Sequence, residues 1–263
     1  MKNNLFAAAA VSVFILAGCA EKNISEKSTK SSAGLFTGTM AETSDNADNE
    51  QNRRLRDFYS SIGLECNSAL SEAVGSIMEL SDRLPEKSIT YGESMTKDMV
   101  ETLKNSPDYR IIYADSDVKM ETAVKDKRMK ISICTEQSAS SMIFNGSVVH
   151  CYSPLEMSGY RITLSDEDMK SYSAETLLDS TVFYPQNDSD EVSVSTVNAD
   201  GNSYICEVFD GFAYLFEEDG TVAMFCDNSN NFTAMVETEN ISDNIFALPQ
   251  GYTVEDYDEK QQN

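Results

Sequence analysis

From Pro107 almost to the end of the chain, apolar and polar residues alternate with a period of two. Tyr109, Ile111 and Tyr113 alternate with polar or smaller neighbours, and Met129 and Ile131 do the same in the next stretch. Successive side chains of a strand point to opposite faces of a sheet, so this rhythm predicts strands rather than helices. The pattern restricts most of the chain to a β-sheet.

Turn residues divide this region into hairpins. Four dipeptides accept the positive φ of a two-residue loop: Asn145-Gly146, Asp200-Gly201, Asp210-Gly211 and Asp219-Gly220. The segments between them and before them give about ten or eleven antiparallel strands. An open twisted sheet of that size usually curls, so we expect one large curled antiparallel sheet.

Three segments have helical features instead. Apolar residues recur at three- and four-residue spacing over 55–84, which predicts one long helix ended by Pro85. A shorter helix is predicted over 96–104, and Ser165 followed by acidic residues predicts a helix or ordered loop over 166–179. The expected fold is therefore α+β, with the long N-terminal helix covering the sheet and a mid-chain helical insert.

The N-terminus has the pattern of an export signal. Lys2 precedes an apolar run that ends in Leu16, Ala17, Gly18 and Cys19, and the run is too short to span a bilayer. It resembles a bacterial lipoprotein signal, which implies cleavage after Gly18 and acylation of the Cys19 sulfur. The predicted location is extracytoplasmic, tethered to the outer face of the cytoplasmic membrane, or to the outer membrane if the source is Gram-negative.

The domain boundaries follow from composition. Residues 1–18 form the predicted signal peptide, and 19–52, rich in Ser, Thr, Asn, Glu and Lys, form a predicted disordered linker that begins with the lipidated Cys19. A single domain is predicted over 53–254, followed by an acidic and polar tail over 255–263.

The charge balance limits the choice of partners. The chain has 20 Lys and Arg residues against 44 Asp and Glu residues, a net charge of −24. Binding to nucleic acid requires clustered cations that neutralise phosphates, so nucleic acid is not an expected partner. The expected partners are the membrane through the lipid, an acyl chain or other lipid as ligand, and an envelope protein.

No motif in the sequence indicates catalysis, a cofactor or a metal. With Cys19 lipidated, five cysteines remain and cannot all pair, and no C-x-x-C or zinc spacing occurs. His150 is the only histidine and stands apart from any Ser/Asp pattern. The stretch from Thr196 to Glu207 matches calcium-loop spacing after its first ligand, but Asp200-Gly201 between alternating strands favours a hairpin. We therefore expect a protein that is not an enzyme.

The whole pattern resembles the lipoprotein-carrier superfamily, the LolA/LolB-like half-barrels. The stretches that carry the likeness are Tyr204-Ile205-Cys206-Glu207, residues 214–220 and Ile245-Phe246-Ala247-Leu248-Pro249-Gln250-Gly251-Tyr252. The resemblance implies a half-barrel whose concave face and covering helix enclose an apolar cavity for acyl chains. No position here matches a ligand-contact residue of that family.

Seven residues of the alternating strands are the predicted walls of such a cavity: Tyr109, Ile111, Tyr113, Met120, Ile131, Phe144 and Tyr214. The stripes Tyr204, Cys206, Val208 and Phe212, Tyr214, Phe216 and Val222, Met224, Cys226 are predicted to share one face. Two alternatives stay open: an interaction or structural module with a solid core, and an unrecognised hydrolase or thiol enzyme.

Overall fold

One large sheet accounts for most of the structure, a computed structural model that describes residues 45–75, 85–227 and 230–257. The predicted signal peptide, Cys19, most of the predicted linker and the end of the tail lie outside these ranges. The sheet contains thirteen strands within the described residues: Lys87–Thr90 (β1), Tyr109–Ala114 (β2), Val118–Lys125 (β3), Arg128–Thr135 (β4), Ala139–Asn145 (β5), Val148–Ser153 (β6), Ser158–Thr163 (β7), Glu191–Ala199 (β8), Asn202–Phe209 (β9), Phe212–Phe216 (β10), Val222–Cys226 (β11), Asn231–Glu237 (β12) and Thr253–Asp256 (β13).

The strand order is β1-β8-β9-β10-β11-β12-β2-β3-β4-β5-β6-β7-β13, and the sheet does not close into a barrel. Every pair is antiparallel except β13 with β7, so the sheet is mixed rather than purely antiparallel. The large sheet in an α+β fold is confirmed. The predicted count of ten or eleven strands was too low because β1 and β13, four residues each at the two edges, are too short to show an alternating pattern.

Five α-helices lie among the described residues: Asp45–Ile62 (α1), Ser68–Val74 (α2), Met95–Asn105 (α3), Asp166–Ser171 (α4) and Ala174–Thr181 (α5). A 3₁₀ turn at Tyr91–Glu93 precedes α3, and another lies at Asp243–Phe246. The helix predicted over 96–104 is present as α3, and the insert predicted over 166–179 is present as α4 and α5.

The single helix predicted over 55–84 was wrong. α1 begins at Asp45, inside the range predicted as linker, and ends at Ile62, where Gly63 adopts φ +89. The chain then leaves helical conformation until α2, and residues 76–84 lie outside the described ranges. Gly63 ends the helix because a residue without Cβ tolerates the left-handed conformation that follows a helix terminus.

The sheet has two faces with different covers. We call the face that carries the side chains of Tyr109, Ile111, Tyr113, Phe144 and Tyr214 the aromatic face; α3 and α5 pack on it through Val100, Leu103 and Leu178. The other face, called the second face, is covered by α1, α2 and the chain after β12, through Leu55, Ile62, Leu70, Val74, Ile241 and Phe246. The N-terminal helix therefore does not cover the predicted wall residues, since it lies on the opposite side of the sheet.

The predicted common face of the C-terminal stripes was also wrong. Cys206 pairs with Leu215 and Glu207 with Tyr214, so Tyr204 and Cys206 point to the second face while Tyr214 and Phe216 point to the aromatic face. A bulge lies beyond Leu215, which pairs with Met224, whereas Phe216 pairs with Val222. This bulge moves Val222 to the aromatic face.

Candidate functional site

All seven predicted wall residues lie on the aromatic face. Tyr109, Ile111, Tyr113, Phe144 and Tyr214 are at most 6% exposed, while Met120 and Ile131 are half-buried and pack against the same cluster. The strand register brings them together, because Tyr113 pairs with Met120, and Thr122 pairs with both Ile111 and Ile131. The seven therefore form part of one continuous apolar surface.

Aromatic rings fill the centre of this surface. The ring of Phe225 lies 5.3 Å from that of Tyr113, 5.1 Å from that of Tyr214 and 6.4 Å from that of Phe232. Tilted and stacked ring pairs at these distances add to the stabilisation from buried area. The rings of Phe225, Tyr113, Tyr214 and Phe232 therefore pack against one another at the middle of the aromatic face.

A long connection crosses the aromatic face. Residues 164–190, which we call the strap, contain α4 and α5 and join β7, twelfth in the sheet order, to β8, second in that order. Along its path Tyr172 packs on Phe144 at 5.2 Å between ring centroids, and Phe183 packs on Phe212 at 4.7 Å. The strap therefore spans the face from one side of the sheet to the other.

Tyrosine hydroxyls of the sheet hold the strap. Tyr109 donates a hydrogen bond to the carbonyl of Ala174 at 2.8 Å, and Tyr113 donates one to the carbonyl of Thr181 at 3.2 Å. The hydroxyl of Tyr214 accepts a hydrogen bond from the Phe183 amide at 3.2 Å. Burial raises the pKa of Tyr113 and Tyr214 above the usual range, so both hydroxyls stay protonated.

A buried carboxylate fixes α3 above the same face. Glu207, 1% exposed, accepts hydrogen bonds from the amides of Met95 and Thr96 at 2.8 and 2.9 Å and from the Thr96 hydroxyl at 2.7 Å. The first turn of a helix has amide groups without helical partners and a partial positive charge, which a carboxylate satisfies. Glu207 therefore positions α3.

The second face carries a buried ion cluster. Glu121, 1% exposed, accepts a hydrogen bond from Nε of Arg110 at 2.7 Å, and its Oε2 lies 2.7 Å from Nζ of Lys130. The Lys130 contact is an ion pair whose geometry does not meet that of an aligned hydrogen bond. Arg110 also donates to the carbonyl of Ile62, and buried Lys119 donates to that of Tyr59. The cations therefore hold the C-terminal end of α1 against the sheet.

Several residues of the site were missed from the sequence. Leu178, Phe183, Phe212 and Thr122 contact the aromatic cluster or the strap, but none was predicted as a wall residue. Phe183 and Tyr184 precede Pro185 after a predicted helix, which is a local signal that could have drawn attention to them. Nothing in the sequence pattern indicates which distant residues the rings of Phe183 and Phe212 contact.

The other sequence candidates do not join this site. His150 lies between Val149 and Cys151, whose side chains belong to the aromatic cluster, so it points to the second face; burial lowers its pKa. Asp200 and Gly201 form the β8–β9 hairpin with φ of 49° and 79°, and Glu207 binds α3 instead of that loop. Cys66, Cys134, Cys151, Cys206 and Cys226 are not in disulfides.

The described residues contain neither a metal-binding cluster nor a helix suited to crossing a membrane. No group of three or more His, Cys, Asp or Glu residues there is arranged to hold a metal ion. Within the same ranges no helix has the length and apolarity needed to cross a membrane.

Comparisons with known proteins gave weak similarities. No family model matches the chain, and no curated protein matches it. An uncharacterized conserved protein from Thermus thermophilus aligns at 7% identity with a TM-score of 0.34, over 62% of this chain and 100% of that one. PNGF-II in a C2 crystal form aligns at 9% identity with a TM-score of 0.20, over 59% of this chain and 31% of that one. Scores this low carry no conclusion about fold or function, and neither neighbour points to the lipoprotein-carrier superfamily.

Proposed function

We propose that this protein is a lipid-anchored extracytoplasmic protein that binds an acyl chain or similar amphiphile between the aromatic face and the strap, without catalysis. One observation carries the proposal: the seven predicted wall residues lie together on one apolar face, under a crossing segment whose two helices bury only Leu178. An apolar surface with a few placed polar groups is typical of small-molecule sites.

The composition of the face supports a flexible apolar ligand. Five methionines contribute to its cluster: Met95, Met99, Met120, Met129 and Met142. Methionine is unbranched and polarizable, so it adapts to ligands of different shape. The half-buried position of Met120 and Ile131 marks the part of the face where a chain would contact the protein.

The anchor and the curvature belong to the same proposal. Acylated Cys19 would tether the domain through the linker, and the sheet would curl around the strap as a half-barrel of the LolA/LolB-like kind. A sheet of thirteen strands is larger than most open sheets and favours such curvature.

Binding of palmitate to the delipidated full mature chain tests the proposal. Ile131→Glu places a charge on the aromatic face, and we expect at least a roughly tenfold loss of affinity by fluorescent fatty-acid displacement, since burying a charge beside an acyl chain is costly. Leu155→Glu, at a half-buried aliphatic residue on the second face, is the matched control. Native mass spectrometry that finds no palmitate on the wild-type protein at saturation overturns the proposal.

A second candidate is a protein-binding or structural envelope lipoprotein with a solid core. The observation that favours it is the mutual packing of the rings of Tyr113, Phe212, Phe225 and Phe232, which occupies the middle of the aromatic face. This candidate predicts no palmitate uptake, together with specific cross-linking of the anchored protein to one envelope partner. If a chain that lacks residues 53–254 cross-links to the same partner as well as the full chain does, the second candidate is contradicted.

A further inference from the structure

The strap connects β7, near one edge of the sheet, to β8, near the other edge, and is attached at both ends. At its start the amide of Leu164 donates to the carbonyl of Ser147, and at its end the amide of Gly92 donates to the carbonyl of Asp188. Lys97 of α3 adds an ion pair to Asp188 at 2.8 Å. Both ends of the strap are therefore fixed by backbone contacts.

Between these ends the strap is lightly held. α4 has no buried residue and α5 buries only Leu178, so the fully buried apolar side chains of 172–184 are Leu178 and Val182. Besides ring contacts and these two apolar side chains, the polar attachments are the hydroxyls of Tyr109, Tyr113 and Tyr214 and a 3.5 Å contact between the hydroxyls of Thr122 and Thr181. The ammonium of Lys104 also lies 4.4 Å from the centre of the Tyr184 ring. Segments with few buried apolar contacts open locally at low free-energy cost.

The polar contacts can break without leaving strain. Each tyrosine hydroxyl can exchange its strap partner for water when the segment lifts, and the Thr181 carbonyl at the end of α5 has no later helical turn to satisfy it. The ring of Phe183 would leave the rings of Phe212 and Phe225 in the same movement. The movement would expose the middle of the aromatic face and leave the sheet unchanged.

We propose that the middle of the strap, 172–184, is a gate that opens as one local unit while its two ends stay attached, with the tyrosine hydroxyls as its latch. The gate rests on the proposed function, because it regulates access to that same face. It assigns Tyr113 and Tyr214 a role in controlling motion, in addition to packing.

Hydrogen exchange tests the gate without any ligand. We expect α5 amides and the Phe183 amide to exchange at least about tenfold faster than β10 amides of the same molecule. Tyr214→Phe removes the acceptor of the Phe183 amide and should speed exchange over 172–184 about fivefold to tenfold relative to β10. Tyr152→Phe removes a buried hydroxyl from the second face and is the control. The gate is overturned if the amides of 172–184 exchange as slowly as those of β10 in both the wild-type protein and Tyr214→Phe.

A reversible lock tests its link to binding. Thr122→Cys with Thr181→Cys puts two thiols where hydroxyls lie 3.5 Å apart, so a small movement closes a disulfide. The oxidised double variant should take up a fluorescent sixteen-carbon fatty acid at least about tenfold more slowly than the reduced form, because the closed gate blocks the face. The single variants Thr122→Cys and Thr181→Cys, which keep all the native cysteines, should not respond to oxidation.

The outcomes separate the two proposals. Equal uptake rates in the oxidised and reduced double variant overturn the gate and leave the binding proposal standing. Wild-type protein that binds no fatty acid overturns the binding proposal, and hydrogen exchange still decides whether the strap opens as a unit.

Discussion

At the scale of single residues, two charged groups in the sheet decide where helices lie. Glu207 on β9 accepts three hydrogen bonds from the start of α3, and Arg110 on β2 donates to the end of α1. Both contacts satisfy backbone groups that a helix leaves unpaired at its termini. The sequence shows each residue only as one polar position in an alternating strand, so neither contact could be predicted from it.

Glu207→Ala tests the capping role. Because the substitution leaves the amides of Met95 and Thr96 without a partner in a buried place, we expect the free energy of unfolding to fall by roughly 2–4 kcal/mol. Urea denaturation monitored by circular dichroism measures the change. Glu218→Ala, at an exposed turn residue, is the control and should change stability by less than about 0.5 kcal/mol. If the free energy of unfolding falls by a similar amount in both variants, Glu207 does not stabilise the protein by capping α3.

At the scale of elements, most strands and three of the helices were predictable from the sequence. The side of the sheet on which each helix packs was not. The alternation in β2 to β6 and the two-residue loops Asp200-Gly201 and Asp210-Gly211 identify strands from local sequence alone. The other two predicted loops differ, because Asn145 is the last residue of β5 and Asp219-Gly220 lies within a longer loop over 217–221. The helical periodicity over 55–84 was misleading because Gly63 ends α1, and a face pattern does not show which side of a sheet a helix will cover. The bulge beyond Leu215 likewise changes the face of Val222 without any sequence mark.

The ion cluster between Arg110, Glu121 and Lys130 gives a test at this scale. Glu121→Leu leaves the buried ammonium of Lys130 without its anion and leaves Arg110 only its 3.2 Å contact to the partly exposed Glu237, so we expect a loss of about 3–5 kcal/mol in the free energy of unfolding. The triple variant Arg110→Met, Glu121→Leu, Lys130→Met removes all three charges and should recover most of that loss. A triple variant less stable than the single one would mean that the charges themselves stabilise the docking of α1.

At the scale of the whole molecule, the acidic charge opposes compaction. A net charge of −24 produces self-repulsion, which salt screens over a Debye length of about 10 Å at 0.1 M. We therefore expect the melting temperature at pH 7 to rise by several degrees, roughly 3–6 °C, between 0.05 and 0.5 M NaCl, measured by calorimetry.

The control for this prediction is the pH. Near pH 4.2, the calculated isoelectric point, net repulsion disappears and the same salt increase should leave the melting temperature nearly unchanged. A melting temperature that falls with salt at pH 7 would show that attractive ion pairs outweigh the net repulsion.

The sequence alone determined that this chain contains one large sheet, because side-chain alternation is a local property that each strand carries in its own residues. Seven of the residues on the aromatic face were among those that the sequence predicted as walls, and alternation within a strand placed Tyr109, Ile111 and Tyr113 on one side. Only the tertiary structure decided that β12 lies beside β2, that the edges are β1 and β13, and that the strap crosses the aromatic face while α1 covers the other. Those choices depend on contacts between residues up to a hundred or more positions apart, where packing and buried charge pairs outweigh any local preference.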